Sequence, residues 1–380
     1  MHLRNKLSTC MSLQNIIIGL KLLKMLYSYR YYINNFLQLF YKSKFAGWGR
    51  KKTGRLALWC YRRFGGSVRL LEDGFIRSIG LGIDNSPSFS LVEDDVGIYY
   101  DATTPSKLEN ILNSYDFAQD KDLMLKAQNA ISLLKKHNIS KYNNAQDVDK
   151  DFCKKYGLGY RDSRSESGMM EKVSASMNEI PGSSPKMTAC SGNDVEILNQ
   201  VQDDILHKKK NILIIAQTAG DSSLEYGLAN QFSTDDMIEA AIAENPDAKI
   251  YLKIHPDVLS GKKASDIDIH NIDSRVTIIS ENINPVSLLK YFDKVYTKTS
   301  GMGFEALLVG CECVCFGMPY YAGWGITDDR ILCERRKRKL SVEEVFAAAY
   351  ILYTRYVNPY TKKEIDIIET IQTIVKLRNS

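Results

Sequence analysis

The chain has 380 residues, of which 44% are hydrophobic and 25% charged, so a lone small module, a collagen-like repeat and wholesale disorder are excluded and two or three globular domains are expected. The net charge is +5, and it is distributed unevenly along the chain, because residues 1–71 hold 14 Lys and Arg residues and no Asp or Glu. This asymmetry indicates an acidic partner near the first segment, namely nucleic acid, an anionic membrane face or a phosphorylated substrate, unless the basic surface is simply solvated.

The first segment, residues 1–44, mixes apolar residues and Tyr with spaced Lys and Arg. Its apolar stretch Asn15–Leu26 contains Lys21 and Lys24, so it is too short and too charged to span a membrane, and no small-residue cleavage site follows it. The pattern over Ile16–Tyr41 predicts a basic amphipathic helix that lies on a bilayer surface or packs on the protein. The eight Cys residues have irregular spacings without a CxxC pair, so we expect reduced thiols in a cytoplasmic protein.

Residues 45–160 are predicted to form the first α/β domain. The β-rich runs and helical patterns fall, in chain order, at Ser67–Leu71, Ser88–Val92, Ile98–Tyr100, Ser106–Ser114 and Leu123–His137. Residues 161–204 are rich in Ser, Met and Gly without a sustained period, which indicates a linker or exposed insertion between domains.

Residues 205–335 carry the clearest signal, because short β-rich runs alternate with helical patterns. The expected strands are Asn211–Ala216, Lys249–Ile254, Val276–Ser280, Lys294–Thr297 and Glu312–Phe316, and the expected helices are Thr234–Glu244, Pro285–Tyr291 and Gly301–Val309. This alternation predicts a Rossmann-like parallel sheet covered on both faces. In the last segment, residues 336–380, we expect a helix over Ser341–Arg355, with Ser341 and Glu344 in a capping box, and a second helix over Lys362–Leu377.

The first candidate site is the segment Tyr296–Glu305, where an expected strand ends and a helix begins. Thr299, Ser300 and Gly301 would offer hydroxyls and backbone N–H groups to a phosphate, and Glu305, one turn into the helix, would suit ribose hydroxyls. Ligands bind at the carboxyl ends of parallel strands, which favours this interpretation over an ordinary Ser N-cap.

Two further motifs follow expected strands of the same sheet. Pro256 ends one strand and leaves His255 in the cleft, where it could assist a departing phosphate, although a lone His is more often structural. Asp221, presented from a Gly turn, could be a nucleophile toward a sugar or a base, but the local pattern alone favours an N-cap or an Asx-turn.

The fourth motif, Leu71–Gly82, pairs the adjacent carboxylates Glu72 and Asp73 with the cation Arg77. Arg77 is a candidate for binding a substrate carboxylate, with an ion pair to a nearby carboxylate as the alternative. The motif lacks the GxGxxG order and the acidic residue expected beyond it, so NAD binding is not expected. A partial echo, Ala-Gly-Trp-Gly, occurs at residues 46–49 and 322–325 and indicates either related halves or two tight turns.

Together these blocks resemble the KpsC/LipB-type capsule polysaccharide proteins, which are retaining β-Kdo glycosyltransferases. The matching strings are GWGRKKTG (47–54), LEDGFIRSIGLG (71–82), GIYYDATTPSKLE (97–109), QTAGDSS (217–223), KIHPDV (253–258), TSGMGFEALLVG (299–310) and FGMPYYAGWGITDD (316–329). They follow the family's order over about residues 45 to 358. Family members commonly carry two such modules in tandem, whereas this chain has one.

The resemblance implies a GT-B fold, in which two Rossmann-like domains face a cleft and the final helices cross back. Residues 45–160 would bind the acceptor and residues 205–335 the donor, CMP-β-Kdo. The acceptor would be a Kdo-bearing or lipid-linked glycan at the anionic inner membrane, where the basic first segment would dock and the run Arg335–Lys339 could assist. Neither a metal ion nor a cofactor is expected.

The resemblance also assigns roles to individual residues. Asp221 would be the nucleophile, and Glu72 the acid/base, with Asp73 as the alternative. The residues expected to bind CMP are His255, Pro256, Thr299, Ser300, Gly301 and Glu305, and those expected to bind substrate are Asp73, Arg77, Gln217 and Lys253. Competing functions are transfer from another cytidine-linked donor, such as CMP-sialic acid or a CDP-polyol, and a non-catalytic glycan- or membrane-binding module. Nucleic-acid binding is not expected, because no nucleic-acid motif accompanies the basic segment.

Overall fold

The computed structural model describes residues 43–80, 86–159, 209–254, 258, 266–267 and 272–379. The amphipathic helix expected within residues 1–44 and the linker expected at 161–204 therefore lie outside the described residues, apart from the end of the first segment at Ser43 and Lys44.

The described chain forms two β-sheets with helices around them. The first part contains β1 (Lys44–Trp48), α1 (Lys52–Phe64), β2 (Ser67–Asp73), β3 (Ser90–Asp94), α2 (Lys107–Ser114), α3 (Lys121–His137) and α4 (Lys150–Tyr156). The second contains β4 (Asn211–Ile215), α5 (Ser222–Tyr226), α6 (Thr234–Glu244), β5 (Lys249–Lys253), β6 (Val276–Ile279), α7 (Pro285–Leu289), β7 (Lys294–Thr297), α8 (Met302–Leu308), β8 (Glu312–Cys315) and β9 (Asp328–Asp329). The last contains α9 (Val342–Phe346), a π-helix (Ala347–Leu352), β10 (Thr354–Val357), β11 (Glu364–Ile365) and α10 (Ile367–Arg378).

The second sheet has the strand order β6-β5-β4-β7-β8-β9, and every neighbouring pair is parallel. Its central strand, β4, is buried along its whole length because the sheet is covered on both faces. Successive side chains alternate between the faces, so Leu213 and Ile215 pack with Phe292 on one side while Ile212 and Ile214 pack on the other. The parallel sheet predicted from the sequence is confirmed, and the expected strands match to within one residue; β9 was not predicted.

The first sheet belongs to the expected second α/β unit, but it is mixed, unlike the parallel sheet of the Rossmann-like domain that the resemblance implies. Its strand order is β1-β2-β3-β10-β11; β1 and β2 are parallel, and the other neighbours are antiparallel. The expected strand Ile98–Tyr100 is a turn, because Asp94 Oδ1 accepts the N–H groups of Val96 and Gly97, both at 2.8 Å, and bends the chain. The sequence analysis also missed β1 and α1.

The C-terminal segment returns to the first part of the chain. Ser341 and Glu344 form the predicted capping box, but the expected helix over Ser341–Arg355 ends early. It passes into the π-helix, after which Thr354 Oγ1 donates to the Ala349 carbonyl at 2.7 Å and the chain enters β10. The second expected helix begins five residues later than predicted, with Asp366 as its N-cap, and α10 contacts α3.

A buried charge cluster joins the segment after β9 to α2. Glu109 Oε1 accepts from Arg335 Nε at 2.7 Å and Glu109 Oε2 lies 3.2 Å from Arg336 Nε, with the Glu109 and Arg336 side chains 5% and 3% exposed. Arg338 Nη1 donates to the Tyr115 carbonyl at 2.9 Å. Three arginines of the run expected to assist membrane docking are thus bound within the protein, whereas Lys337 and Lys339 are exposed, so a docking role of the run stays a prediction.

Breaking this cluster should destabilise the fold. We expect Glu109→Gln to lower the free energy of unfolding by about 3 kcal/mol, because Arg336 stays buried without its counter-ion. The matched control is Glu364→Gln, which removes an ion pair to Arg355 whose side chains are 63% and 70% exposed, and should cost less than about 1 kcal/mol. Urea unfolding measures both variants, and equal small shifts of the midpoint would contradict a structural role for the cluster.

Candidate active site

Glu72 lies where the parallel strands β1 and β2 end side by side. Trp48, the last residue of β1, donates its Nε1–H to Glu72 Oε1 at 2.9 Å, and the Asp73 N–H donates to the same oxygen at 3.2 Å. Burial raises the pKa of Glu72 above its ordinary value, while the charges of Lys141 and Lys51 act in the opposite direction. A carboxyl in this setting can take up and release a proton.

Gly49 allows the Tyr100 hydroxyl and the Glu72 carboxylate to lie close to the backbone at this site. It has φ +39°, and a Cβ there would lie 2.2 Å from the Tyr100 hydroxyl and 2.8 Å from Glu72 Oε2. The Tyr100 hydroxyl accepts the Arg50 N–H at 2.7 Å. The other copy of the Ala-Gly-Trp-Gly echo serves the core instead, since Trp324 is fully buried and donates to a backbone carbonyl.

Asp73 and Arg77 pair with one another. Arg77 Nε lies 2.9 Å from Asp73 Oδ1, and the Arg77 side chain is 3% exposed. Its Nη1 also donates to Ser78 Oγ at 2.8 Å and to the Ser86 carbonyl at 3.3 Å. These partners match the ion-pair alternative from the sequence; substrate binding by Asp73 and Arg77 stays a prediction, and their burial does not favour it.

Asp221 caps the short helix α5 on the second sheet's side. Asp221 Oδ1 accepts the Ser223 N–H at 2.9 Å, while the residue itself is exposed. The N-cap expected from the local pattern is therefore present, yet the second carboxylate oxygen has no hydrogen bond among the described residues. Capping and reaction with a ligand are compatible here, because the hydrogen bond orients the side chain.

Gln217 and Thr299 join the loops that follow β4 and β7. The Thr299 N–H donates to Gln217 Oε1 at 2.7 Å, and Gln217 Nε2 donates to Thr299 Oγ1 at 3.1 Å. Thr299 Oγ1 also lies 2.9 Å from Ser223 Oγ, two residues beyond Asp221. This polar network sets Asp221 beside the loop of the predicted phosphate site.

Ser300 and Gly301 form the open part of that loop. Ser300 Oγ accepts the Met302 N–H at 3.3 Å, and a Cβ built on Gly301 would meet no atom within 4 Å. Thr299 is largely enclosed. Of the three residues expected to receive the phosphate, Gly301 is thus the exposed one, and its surroundings leave room for a ligand.

Glu305 is buried and bound to the other part of the chain; the binding of ribose hydroxyls by Glu305 stays a prediction, and its burial does not favour it. Its carboxylate accepts from Ser140 Oγ and from the Lys141 backbone N–H, both in the first part of the chain. Burial raises the pKa of Glu305 from 4.5 to about 7, although both hydrogen bonds favour the charged form. Glu305 therefore links α8 to the segment after α3.

Lys141 is a site residue that the sequence analysis missed. Its carbonyl accepts the N–H groups of Arg77 at 3.0 Å and Ser78 at 3.3 Å, which fixes it beside the end of β2. Burial acts to lower its pKa, but nearby Tyr99, Tyr142, Asp73 and Glu72 raise it above the ordinary value. The ammonium makes no hydrogen bond or ion pair within the described parts of the chain. No motif surrounds it, so only the fold reveals it.

Contacts between the two parts of the chain bring Glu72 and Asp221 toward one place. Tyr226, at the end of α5, accepts the Ala102 N–H with its carbonyl at 2.8 Å, and the Arg50 guanidinium lies 5.5 Å from its ring centre. Burial raises the pKa of Tyr99 to about 12, and the charges of both Glu72 and Asp221 contribute in the same direction.

Lys253 lies at the end of β5, where the sequence predicted a substrate contact. Its ammonium donates to the carbonyls of Ile254 at 3.3 Å and Glu281 at 3.0 Å. Burial lowers its pKa to about 8, against the charge of Glu281. His255 and Pro256, the next residues, lie outside the described residues.

The described ranges contain neither a cluster of metal-ligating side chains nor a helix suited to cross a membrane. None of their Asp, Glu, His and Cys side chains form a group of three or more that could hold a metal ion. Their helices include none with the length and apolar character needed to cross a membrane.

The two α/β parts of the chain contact one another, and each contributes one candidate carboxylate, Glu72 or Asp221. The chain also matches a known family. The family model described as "Capsule polysaccharide biosynthesis protein" matches residues 44–356. The chain is 36% identical over 341 residues to the capsule polysaccharide modification protein LipA of Neisseria meningitidis serogroup B, covering 86% of this chain and 41% of LipA. It is 32% identical over 286 residues to the lipopolysaccharide-processing protein LpsZ of Rhizobium meliloti, covering 75% of this chain and 53% of LpsZ.

Solved structures agree with this match. The β-Kdo 2,4 transferase KpsC of Thermosulfurimonas dismutans superposes with a TM-score of 0.68 at 39% identity, covering 87% of this chain and 86% of that one. The β-Kdo 2,7 transferase KpsC of the same organism gives a TM-score of 0.59 at 28% identity, covering 92% and 90%. The chain belongs to the capsule polysaccharide biosynthesis protein family, which confirms the resemblance, and it spans about two fifths of the length of LipA.

The contact made by Glu305 predicts a pH dependence. The folded protein holds a proton on Glu305 that the unfolded chain releases between pH 4.5 and 7, so stability from this group is present below pH 4.5 and lost as pH rises through 7. Relative to Glu305→Gln, the wild type should lose about 3 kcal/mol of unfolding free energy across that window. Urea unfolding at a series of pH values tests this, and parallel profiles would contradict it.

Proposed function

We propose that this chain is a retaining β-Kdo transferase with a GT-B arrangement, which moves Kdo from CMP-β-Kdo to a Kdo-terminated or lipid-linked glycan in capsule or surface polysaccharide biosynthesis. The observation that carries the proposal is the contact between the halves beside Glu72 and Asp221. Tyr226, at the end of the helix that Asp221 caps, accepts the Ala102 N–H at 2.8 Å, and its ring centre lies 5.5 Å from the guanidinium of Arg50, which follows Gly49. Retention by double displacement needs two such carboxylates in one site. The names of the KpsC structures support Kdo as the transferred sugar.

In the first step, Asp221 attacks the anomeric carbon of the donor sugar. A bond forms between its carboxylate oxygen and that carbon, the bond from the carbon to the phosphate oxygen breaks, and CMP leaves with the electron pair. The N-cap hydrogen bond to the Ser223 N–H holds one carboxylate oxygen, so the other is directed to the substrate. A phosphate monoester leaves without needing a proton from the protein.

In the second step, an acceptor hydroxyl attacks the same carbon and releases Asp221. Glu72 takes the hydroxyl proton as the new bond forms, and its raised pKa makes it a stronger base than an exposed carboxylate. Trp48 and the Asp73 N–H hold one of its oxygens, which leaves the other for the acceptor. Asp73 is paired with Arg77, which favours Glu72 for this role.

The departing CMP phosphate would lie against the loop after β7. Gly301 and Ser300 offer an open backbone and a hydroxyl there, and the network of Thr299 and Gln217 braces the loop. Lys253 is the last residue of β5, the neighbour of β4 in the same sheet, and His255 and Pro256 come after it in the sequence; we propose that His255 assists phosphate departure. No metal ion or cofactor enters this scheme.

We also propose that Lys141 binds the carboxylate of the reacting sugars. Kdo is an acidic sugar, so a site for it needs a cation beside the reacting carbon. Arg77, expected in that role, has protein partners on its Nε and Nη1 atoms, whereas the Lys141 ammonium makes no ion pair in the described ranges and its charge acts on Glu72 and Asp73. The donor and a Kdo-terminated acceptor both carry such a carboxylate.

Two other functions remain as alternatives. A different cytidine-linked donor, such as CMP-sialic acid or a CDP-polyol, would use the same phosphate loop; a donor without a carboxylate would not need Lys141. A non-catalytic glycan- or membrane-binding module would not need Asp221 and Glu72 together. We propose a location at the anionic inner face of the membrane, where a lipid-linked acceptor would be found, and no role for nucleic acid.

The nucleophile is tested by Asp221→Asn. Asn is as good an N-cap as Asp, so the helix and the loop network should persist while transfer of Kdo from CMP-Kdo falls at least about a thousandfold. The assay follows the product by NMR, which also reports the anomeric configuration.

The matched control for that variant is Asp149→Asn, which changes the N-cap of α4, where Asp149 Oδ1 accepts the Phe152 N–H at 2.8 Å. It should transfer at the wild-type rate. Wild-type activity in Asp221→Asn, or an inverted product, would contradict double displacement through Asp221.

The carboxylate role of Lys141 predicts a selective change in KM. Lys141→Met should raise KM by about tenfold or more for whichever substrate places its carboxylate there, with a smaller change in kcat, and Lys141→Arg should restore most of the loss. Separate KM values for donor and acceptor identify the source of the carboxylate. Unchanged KM values for both, or equal defects in the Met and Arg variants, would exclude the role.

A further inference from the structure

Helix α1 presents a basic face with an apolar centre to solvent. Six residues at helical spacing lie within one face and are all exposed: Lys52, Arg55, Leu56, Trp59, Arg62 and Arg63. Leu56 and Trp59, in the middle, are 41% and 53% exposed. Four cations therefore surround a pair of large apolar side chains that the described protein leaves uncovered.

The opposite face of α1 fixes which side points outward. Gly54 and Ala57 are buried against the sheet, and a Cβ on Gly54 would lie 1.9 Å from the Gly49 carbonyl oxygen. The helix cannot rotate to bury Trp59 without separating Gly54 from the Gly49 carbonyl. Trp59 is instead braced by Phe64, whose ring centre lies 5.8 Å away, so its exposure is built into the fold.

Charge complementarity points to the partner. No Asp or Glu occurs from residue 1 to residue 71, so no acidic neighbour in sequence offsets the cations of this face. Trp is enriched at the boundary between lipid headgroups and hydrocarbon, and Arg and Lys can bury their stems there while their charges reach the phosphates. This combination fits an anionic bilayer surface better than a polar protein or nucleic-acid surface.

The helix also connects that surface to the site. It begins directly after the Trp48-Gly49-Arg50 turn, and the charge of Lys51 at its N-cap acts on Glu72. Thirteen residues of α-helix span about 20 Å, so the whole face lies within about that distance of the start of α1, and the turn before it contacts Glu72. A lipid-linked acceptor at the membrane would be within reach of the site.

We propose that the Leu56–Trp59 face of α1 is a membrane-docking surface that inserts into the headgroup region of an anionic bilayer. The inference deepens the proposed function and rests on it only for the lipid-linked acceptor. Residues 1–42 of the same chain are the competing occupant, and the experiment below separates the two.

The test uses the full chain and vesicles of phosphatidylethanolamine with phosphatidylglycerol, compared with neutral phosphatidylcholine. Binding to the anionic vesicles should shift tryptophan emission to the blue and protect it from acrylamide, and Trp59→Phe should remove both effects. Arg62→Glu with Arg63→Glu, or Leu56→Ser with Trp59→Ser, should weaken co-sedimentation by about tenfold or more.

Matched controls lie on α3. Leu125→Ser removes a side chain that is 57% exposed, and Lys135→Glu with Lys136→Glu makes the same charge change as the Arg pair; all should bind vesicles as the wild type does. Transfer to a soluble acceptor should be unchanged in every α1 variant, so loss of docking and loss of the proposed activity are separate readouts.

Three results would overturn the proposal. They are wild-type co-sedimentation by the α1 variants, absence of binding to anionic vesicles, and a Trp59 that resists acrylamide before lipid is added. The last result would mean that residues 1–42 cover the face.

Discussion

The contact of Glu305 with Ser140 and Lys141 is the interaction on which the site depends. Glu305 lies in the first turn of α8, and its carboxylate reaches the other half of the molecule, where it accepts hydrogen bonds from Ser140 Oγ and the Lys141 N–H. Because the Lys141 carbonyl in turn binds the segment after Glu72, one chain of hydrogen bonds runs from the phosphate loop to the acid/base. Burial of the Glu305 carboxyl costs free energy when the carboxyl is charged. The stability of the contact between the two parts of the chain therefore depends on pH.

The second sheet was predictable because its strands are continuous apolar runs separated by helical periods. The first sheet was not, since its order depends on β10, which arrives from residue 354 onward to pair with β3. No local pattern encodes such a pairing, and the sequence from Ser341 reads as one helix until Thr354 bonds back to Ala349. The short β1 offers too few residues to show a strand period, and α1 was missed although its pattern is strongly amphipathic, because its buried face carries the small residues Gly54 and Ala57.

The candidate site divides in the same way. Motifs singled out Glu72, Asp221, Gln217 and Thr299 as candidates, because their expected chemistry follows from residue type and from position at or after the end of a strand. Sequence reasoning could not foresee contacts that depend on burial and distant partners, as for Glu305, whose carboxylate accepts hydrogen bonds from the other half of the chain. Lys141 could not be found at all, since a single Lys outside any motif is informative only once its neighbours are known.

The central claim is that Asp221 and Glu72 serve one retaining reaction on a Kdo donor. The most direct measurement is intact-protein mass spectrometry of the wild type with CMP-Kdo generated in situ and no acceptor, followed by peptide mapping. The account predicts a mass increase of one Kdo unit on the peptide that contains Asp221, and its loss when acceptor is added. Release of CMP without any adduct, or an adduct on another residue, would contradict it.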